Sequence, residues 1–204
     1  MRSTGIIGGS FDPIHYGHLL LAEQAADACD LDQVIFMPAA VSPFKIGKPP
    51  AADSHRIEMT RLAVKNNPKF TVSDMEIKKE GASYTIETLE ACRGLYGNDT
   101  RIFFICGTDS FLGMENWYEA EKILKQYAVI VGSRPRYKDK SRDEMIEKLR
   151  TKYGAQIEKI HMPKIDLSST EIKKRIAEGR SIRYMVPEAV EDYIHRNHIY
   201  QPLV

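Results

Sequence analysis

The chain has 204 residues, a formal net charge of +1 and 43% hydrophobic residues. That length suits one domain with a substantial buried core, and the near-neutral charge excludes a protein built to coat nucleic acid. The three cysteines, Cys29, Cys92 and Cys106, are widely spaced with no C-x-x-C pair, which argues against a disulfide framework or cysteine zinc site and for a reducing compartment.

Met1-Arg2-Ser3-Thr4-Gly5 runs directly into a first apolar stretch, Thr4-Gly5-Ile6-Ile7, which predicts a buried strand and leaves no space for a signal peptide. Gly8 to His18 reads as a turn, and Leu19 to Ala26 as a helix. Gln33-Val34-Ile35-Phe36-Met37-Pro38 predicts a second strand stopped by proline. Ala39 to Pro50 is loop, and Asp53 is a candidate N-cap for a helix through Arg56, Met59, Leu62 and Ala63. Phe70 to Ser73 is a third strand, Glu76 to Ala82 a charged connection, and Tyr84 to Leu89 opens another helix. Arg101 to Cys106 is the strongest strand signal, ended by Gly107. Trp117 to Gln126 reads as helix, Ala128 to Val131 as strand, Asp143 to Tyr153 as helix and Ile157 to Ile160 as a short strand. Helices from Ser169 to Glu178 and from Pro187 to Arg196 close the chain.

Strands separated by helices imply right-handed crossovers and an α/β doubly wound parallel sheet, with strand order left open. Residues 1–204 are expected to form one domain, with 165–204 a small helical cap on the sheet. No apolar run approaches membrane-spanning length, so a soluble, cytoplasmic protein with no membrane or nucleic-acid partner is the expectation.

The chemistry concentrates in Gly8-Gly9-Ser10-Phe11-Asp12-Pro13-Ile14-His15-Tyr16-Gly17-His18. It sits at a strand-to-helix turn, where parallel sheets bind ligands at their carboxyl ends. The glycines allow backbone N–H groups close to a phosphate, and the helix start adds partial positive charge. His15 and His18 are spaced to point the same way and can donate to phosphate oxygens. There is no G-x-x-x-x-G-K-[ST] and no G-x-G-x-x-G after the strand, which excludes a P-loop and argues against a dinucleotide-binding dehydrogenase. A second site is Ser168-Ser169-Thr170-Glu171-Ile172-Lys173, which reads as a capping box with Ser168 at N-cap and also as an anion-binding helix start. A third is Gly107-Thr108-Asp109, a turn at the end of the strongest strand. His195 and His198 read as helix C-terminal cations, and His55 and His161 as structural.

The Gly8–His18 stretch resembles the G-G-x-F-D-P-x-H-x-G-H signature of bacterial nicotinate-nucleotide adenylyltransferases, within the nucleotidyltransferase superfamily that carries His-x-Gly-His. The resemblance implies that His15, His18 and Lys45 act in catalysis. It implies that Gly8, Gly9, Ser10, Phe11, Gly107, Asp109, Arg134, Ser168, Ser169, Thr170 and Lys173 surround ATP. Lys173 stands where the S-S-T-x-x-R signature has arginine, so the charge is kept and the bidentate fork is not; Arg175 is an alternative cation. Gly81-x-Ser83-Tyr84-Thr85 and Asn116-Trp117-Tyr118 resemble elements placed beside the nicotinate ring, so Ser83, Tyr84, Thr85, Trp117, Tyr118 and Lys45 are the expected nicotinate-nucleotide contacts. Pro43-Phe44-Lys45 departs from the family's P-H-K, and Ser133-Arg134-Pro135 is followed by Arg136 in place of glycine.

No G-x-S-x-G elbow suggests a covalent nucleophile. The implied reaction is direct attack of a mononucleotide phosphate on the α-phosphorus of ATP, giving deamido-NAD and pyrophosphate, with Mg2+ held mostly by phosphate and water and no metal ligands assigned to the protein. The alternatives are the same chemistry on nicotinamide mononucleotide or 4′-phosphopantetheine, or a non-catalytic nucleotide sensor. Oligomeric state is left open, a homo-oligomer included.

Overall fold

The computed structural model describes residues 2–40, 50–79, 82–133, 139–163 and 165–201. The apolar runs become parallel strands β1 (Arg2–Gly9), β2 (Gln33–Pro38), β3 (Phe70–Val72), β4 (Thr100–Gly107), β5 (Ala128–Gly132) and β6 (Ile157–Ile160) of one sheet. Their spatial order is β3-β2-β1-β4-β5-β6, with Ile6 facing Ile35 on one side and Phe104 on the other. This is the doubly wound arrangement, and the order reverses between β1 and β4.

Strand side chains alternate between two apolar layers, as period-2 geometry requires. Ile7, Val34, Phe36, Phe103, Ile105 and Ile130 enter one layer, covered by α1 (Tyr16–Ala28), α2 (Asp53–Val64), α8 (Ser169–Ala177) and α9 (Glu188–Arg196). Ile6, Ile35, Met37, Phe104, Cys106 and Val131 enter the other, under α4 (Thr85–Tyr96), α6 (Ala120–Gln126) and α7 (Asp139–Tyr153). Ile172, Ile176, Val190 and Ile194 of the last two helices are buried in the first layer. Cys29, Cys92 and Cys106 are free. Among the described residues no helix is long and apolar enough to cross a membrane.

Several local expectations change. Asp53 is not an N-cap: Ala52 caps α2, and the Asp53 carboxylate turns to Arg56, whose burial at 0% exposure demands a countercharge. The charged connection after β3 contains a one-turn helix, α3 (Met75–Lys78), because Glu76 is drawn inward. Gly107 opens an unforeseen short helix, α5 (Thr108–Leu112). The helix expected from Trp117 begins only at Ala120; a 3₁₀ turn at Met114–Asn116 leaves Trp117 extended. The helix expected from Asp143 begins at Asp139.

Gly5, central in β1, shows how tightly the sheet meets its helices: a Cβ there would lie 2.6 Å from Ile105 Cδ1 and 2.8 Å from Leu31 Cδ1. Both neighbours are fully buried, so their side-chain ends would have to shift within the core. Gly5→Ala should destabilise the protein by about 1–3 kcal/mol in urea unfolding, the usual cost of overpacking. An unchanged midpoint would mean that the core yields at this point.

Candidate active site

The carboxyl ends of β1 and β4 lie side by side at the switch point, where the chain leaves in opposite directions and opens a crevice. A cavity of about 540 Å³ lies there. Gly8, Gly9 and Ser10 border it after β1, with His15 and His18 at the start of α1. Gly107 and Asp109 border it after β4, and Ser168, Ser169 and Thr170 at the start of α8. Its other end is formed by Ser83, Thr85, Thr88, Trp117 and Glu76.

His15 is the N-cap of α1, with extended backbone at φ −147° and ψ 169°. His18 sits one turn on, and the two rings stack 3.7 Å apart at 19°. The His15 N–H donates to His18 Nδ1 at 3.3 Å. In the neutral ring this places the His18 proton on Nε2, a donor suited to a phosphate oxygen. Gly17 gives the pair room: a Cβ there would stand 3.0 Å from the His15 ring. A side chain between the histidines would press on the His15 ring.

The turn that carries them is clamped from below. Phe11, at φ 43°, buries its ring against Phe36 and the edge of His18. Asp12, with a side chain 3% exposed, accepts from Lys173 Nζ at 2.6 Å, the Tyr200 hydroxyl at 2.7 Å and the Ala51 N–H at 3.1 Å. Burial alone would push its carboxyl up, but these donors and the Lys173 charge outweigh it and hold Asp12 below the usual carboxylate range. Ser169 Oγ donates to the Pro13 carbonyl at 2.9 Å, which fastens the start of α8 to the same turn. Arg56 donates to the Ser10 carbonyl at 2.8 Å and to the Ala51 carbonyl at 3.2 Å.

Most expected site residues therefore converge on one cavity, but not all. The Phe11 ring serves the core. Lys173, expected at the ATP triphosphate, is engaged with Asp12, and Arg175 donates to the Ser181 carbonyl at 2.7 Å. Ser168 caps α8 by accepting from the Glu171 N–H at 3.2 Å, while the Glu171 carboxylate pairs with Arg180. Trp117 borders the cavity with its ring edge-on to Phe104, 5.6 Å between centroids. Tyr84 and Tyr118 pair with each other 4.7 Å apart, Tyr118 half exposed. Lys45, Gly81 and Arg134 lie outside the described residues.

Sequence reasoning missed Asp12 as the hub, Arg56, Tyr200, and the carboxylate of Glu76 with its partner Thr88. Arg56 left a trace: it falls on the buried face of α2 with Met59 and Thr60, an odd place for a lone cation. Tyr200 and Glu76 left none, since their partners are distant in sequence.

A doubly wound sheet whose switch-point cavity is bordered by a glycine turn, a stacked histidine pair and a hydroxyl-rich helix start defines a nucleotidyltransferase-like, phosphate-binding protein. The model of the cytidylyltransferase-like family matches residues 6–175. The chain belongs to that family, and within it to the group named probable nicotinate-nucleotide adenylyltransferase. Relatives with that name include those of Caldicellulosiruptor bescii, 44% identical over 97% of this chain and 98% of the relative, and of Thermoanaerobacter sp. strain X514, 42% identical over 97% and 93%. That of Thermus thermophilus is 43% identical over 97% and 98%. Among solved structures, the Plasmodium falciparum nicotinic acid mononucleotide adenylyltransferase complexed with NaAD superposes with a TM-score of 0.81 at 22% identity, over 98% of both chains. At that identity the likeness carries the fold.

Asp12→Asn should lower stability by about 1.5–3 kcal/mol at pH 7, the range for hydrogen bonds to a charged group. Because the folded carboxyl lies below its ordinary value of 3.8, its stabilisation is present above that pH and is lost as pH falls through the folded value. Urea unfolding of both proteins should show a gap that closes on acidification below about pH 4. A gap that persists there would assign the effect to shape and not to charge.

Proposed function

We propose that the protein transfers the AMP moiety of ATP to nicotinate mononucleotide, giving deamido-NAD and pyrophosphate. The observation that carries this reading is the layout of the cavity. Phosphate-binding elements occupy one end, namely Gly8 to Ser10, the His15–His18 pair and the start of α8. The Trp117 ring and a helix start, with Ser83 and Thr85, lie toward the layer under α4. The names of the relatives support the same acceptor.

The acceptor phosphate is already largely ionised at pH 7, since a phosphate monoester has its second pKa near about 6. Its oxygen forms the new bond to the α-phosphorus of ATP as the α–β bridging bond breaks and pyrophosphate departs. No covalent intermediate and no strong base are needed. The protein aligns the two phosphates and donates hydrogen bonds to the oxygens where charge grows. His18 Nε2 and the N–H groups at the start of α8 are the donors set for this. Asp109 and Gly107, at the end of β4, suit the ribose side of the nucleotide.

Magnesium fits as an ion carried by ATP. Among the described residues no three His, Cys, Asp or Glu side chains group as a metal site. Asp109, which borders the cavity, would be a carboxylate available to the ion, whose other ligands would come from phosphate and water. When bound, the ion neutralises triphosphate charge. The free cysteines suit a reducing, cytoplasmic setting. We read the whole chain as one domain, because α8 and α9 complete an apolar layer of the sheet.

Pyrophosphate release from ATP, measured with nicotinate mononucleotide, nicotinamide mononucleotide and 4′-phosphopantetheine, tests the reading. Two charge-assisted bonds from helix-start N–H groups to the acid should favour nicotinate over nicotinamide roughly 10–100-fold in kcat/KM. Trp117→Ala should weaken both acceptors alike, since a ring face stacks on either pyridine. Equal use of the two by the unaltered protein would sink the nicotinate assignment.

His18→Ala should lower kcat by roughly 10²–10³ with a smaller change in KM, as for loss of one donor to a developing charge. An unchanged kcat would remove His18 from the mechanism.

A further inference from the structure

The acceptor end of the cavity holds a carboxylate that the transfer chemistry does not use. Glu76, on the single turn of α3, is 8% exposed and borders the cavity beside Ser83, Thr88 and Trp117. Thr88 Oγ1, in the first turns of α4, donates to Glu76 Oε1 at 2.5 Å. Burial pushes the Glu76 carboxyl above its ordinary value, and the Thr88 and Ser83 hydroxyls and the Lys79 charge offset part of that by favouring the charged form. Ser83 Oγ in turn accepts the Ala40 N–H at 3.2 Å. Ala40 lies two residues beyond β2, and its neighbour Ala39 borders the cavity. The Glu76 carboxylate is thus bonded to α4 and lies beside the Ser83 turn, which is itself tied to the segment after β2.

The donor pattern follows from this. A carboxylate only accepts, so the Thr88 proton is directed at it, and the Ser83 hydroxyl beside it favours its charged form. The Ser83 oxygen is left to accept from Ala40. The N–H groups in the first turn of α4, which have no intrahelical partner, remain as the donors for a ligand. We propose that Glu76 is a positioning residue for the acceptor: it orients Ser83 and Thr88 and ties their turn to the end of β2, without touching the reacting atoms. The proposal rests on the acceptor reading above and adds to it the group that gives the acceptor end its shape.

Glu76→Gln keeps the volume but removes the charge and replaces one acceptor oxygen with a donor, so the Thr88 and Ser83 hydroxyls lose their charged acceptor and must reorient. It should raise the KM for nicotinate mononucleotide about tenfold, leave the KM for ATP within about twofold and lower kcat less than about threefold. Nicotinamide mononucleotide should lose by the same factor. Thr88→Val, which removes one donor, should give a smaller rise of about threefold in acceptor KM. In the ligand-free protein, Glu76→Gln should also speed hydrogen exchange of the Ala40 amide. An unchanged acceptor KM in both variants, or an equal rise for ATP, would overturn the proposal in favour of a merely structural role. Improved use of nicotinate on removal of the charge would overturn it too, because the carboxylate would then act by repulsion. If the unaltered protein does not use nicotinate mononucleotide, the acceptor reading fails on its own. Ala40 exchange then decides the inference: faster exchange in the variant supports it, and unchanged exchange overturns it.

Discussion

The Asp12 carboxylate is the constraint on which the site depends. It is buried below the signature turn and takes donors from three places far apart in the chain: Ala51 before α2, Lys173 in α8 and Tyr200 near the C-terminus. Desolvating an anion is expensive, and that cost is offset only while all three donors stay in place. The same demand that keeps Asp12 charged therefore fixes the position of the turn, and with it the glycines and histidines above.

Arg56 imposes the complementary demand. A guanidinium at 0% exposure needs acceptors on every side, and it finds them in the carbonyls of Ser10 and Ala51 and in Asp53. The cation and the anion do not pair with each other. Each clamps backbone of the loop segments around the cavity, so that the phosphate-binding turn is held by charge from below and left open above. Lys173 belongs to this support through its pair with Asp12. A triphosphate at the start of α8 would have to compete with Asp12 for its charge.

The two ends of the cavity are built differently. The end proposed for phosphate uses short-range geometry: a glycine beside the His15 ring, and a helix start capped by Ser168. The acceptor end is assembled from α3, α4 and the segment that leads to Trp117, with a buried carboxylate beneath. Its shape depends on hydroxyl orientation, which a single amide substitution can disturb while the core stays intact.

Local chemistry was legible in the chain. The alternation of apolar strands and helices announced a parallel doubly wound sheet, and β2 and β6 begin and end where proline, turn residues and β-branched runs place them. The spacing of His15, Gly17 and His18, and the hydroxyls of Ser168 to Thr170, marked the phosphate end, because backbone turns and helix starts are set by residues within a few positions of one another. Tertiary structure decided the rest. Strand order put β1 beside β4 and so made a crevice of two turns nearly a hundred residues apart. It turned Asp53 from a cap into a counterion, shortened the helix after Trp117, drew Glu76 inward and gave Lys173 to Asp12. Those outcomes follow from burial, which removes water as a partner and leaves each charge to whichever donor the fold brings within about 3 Å. No sequence spacing encodes that distance.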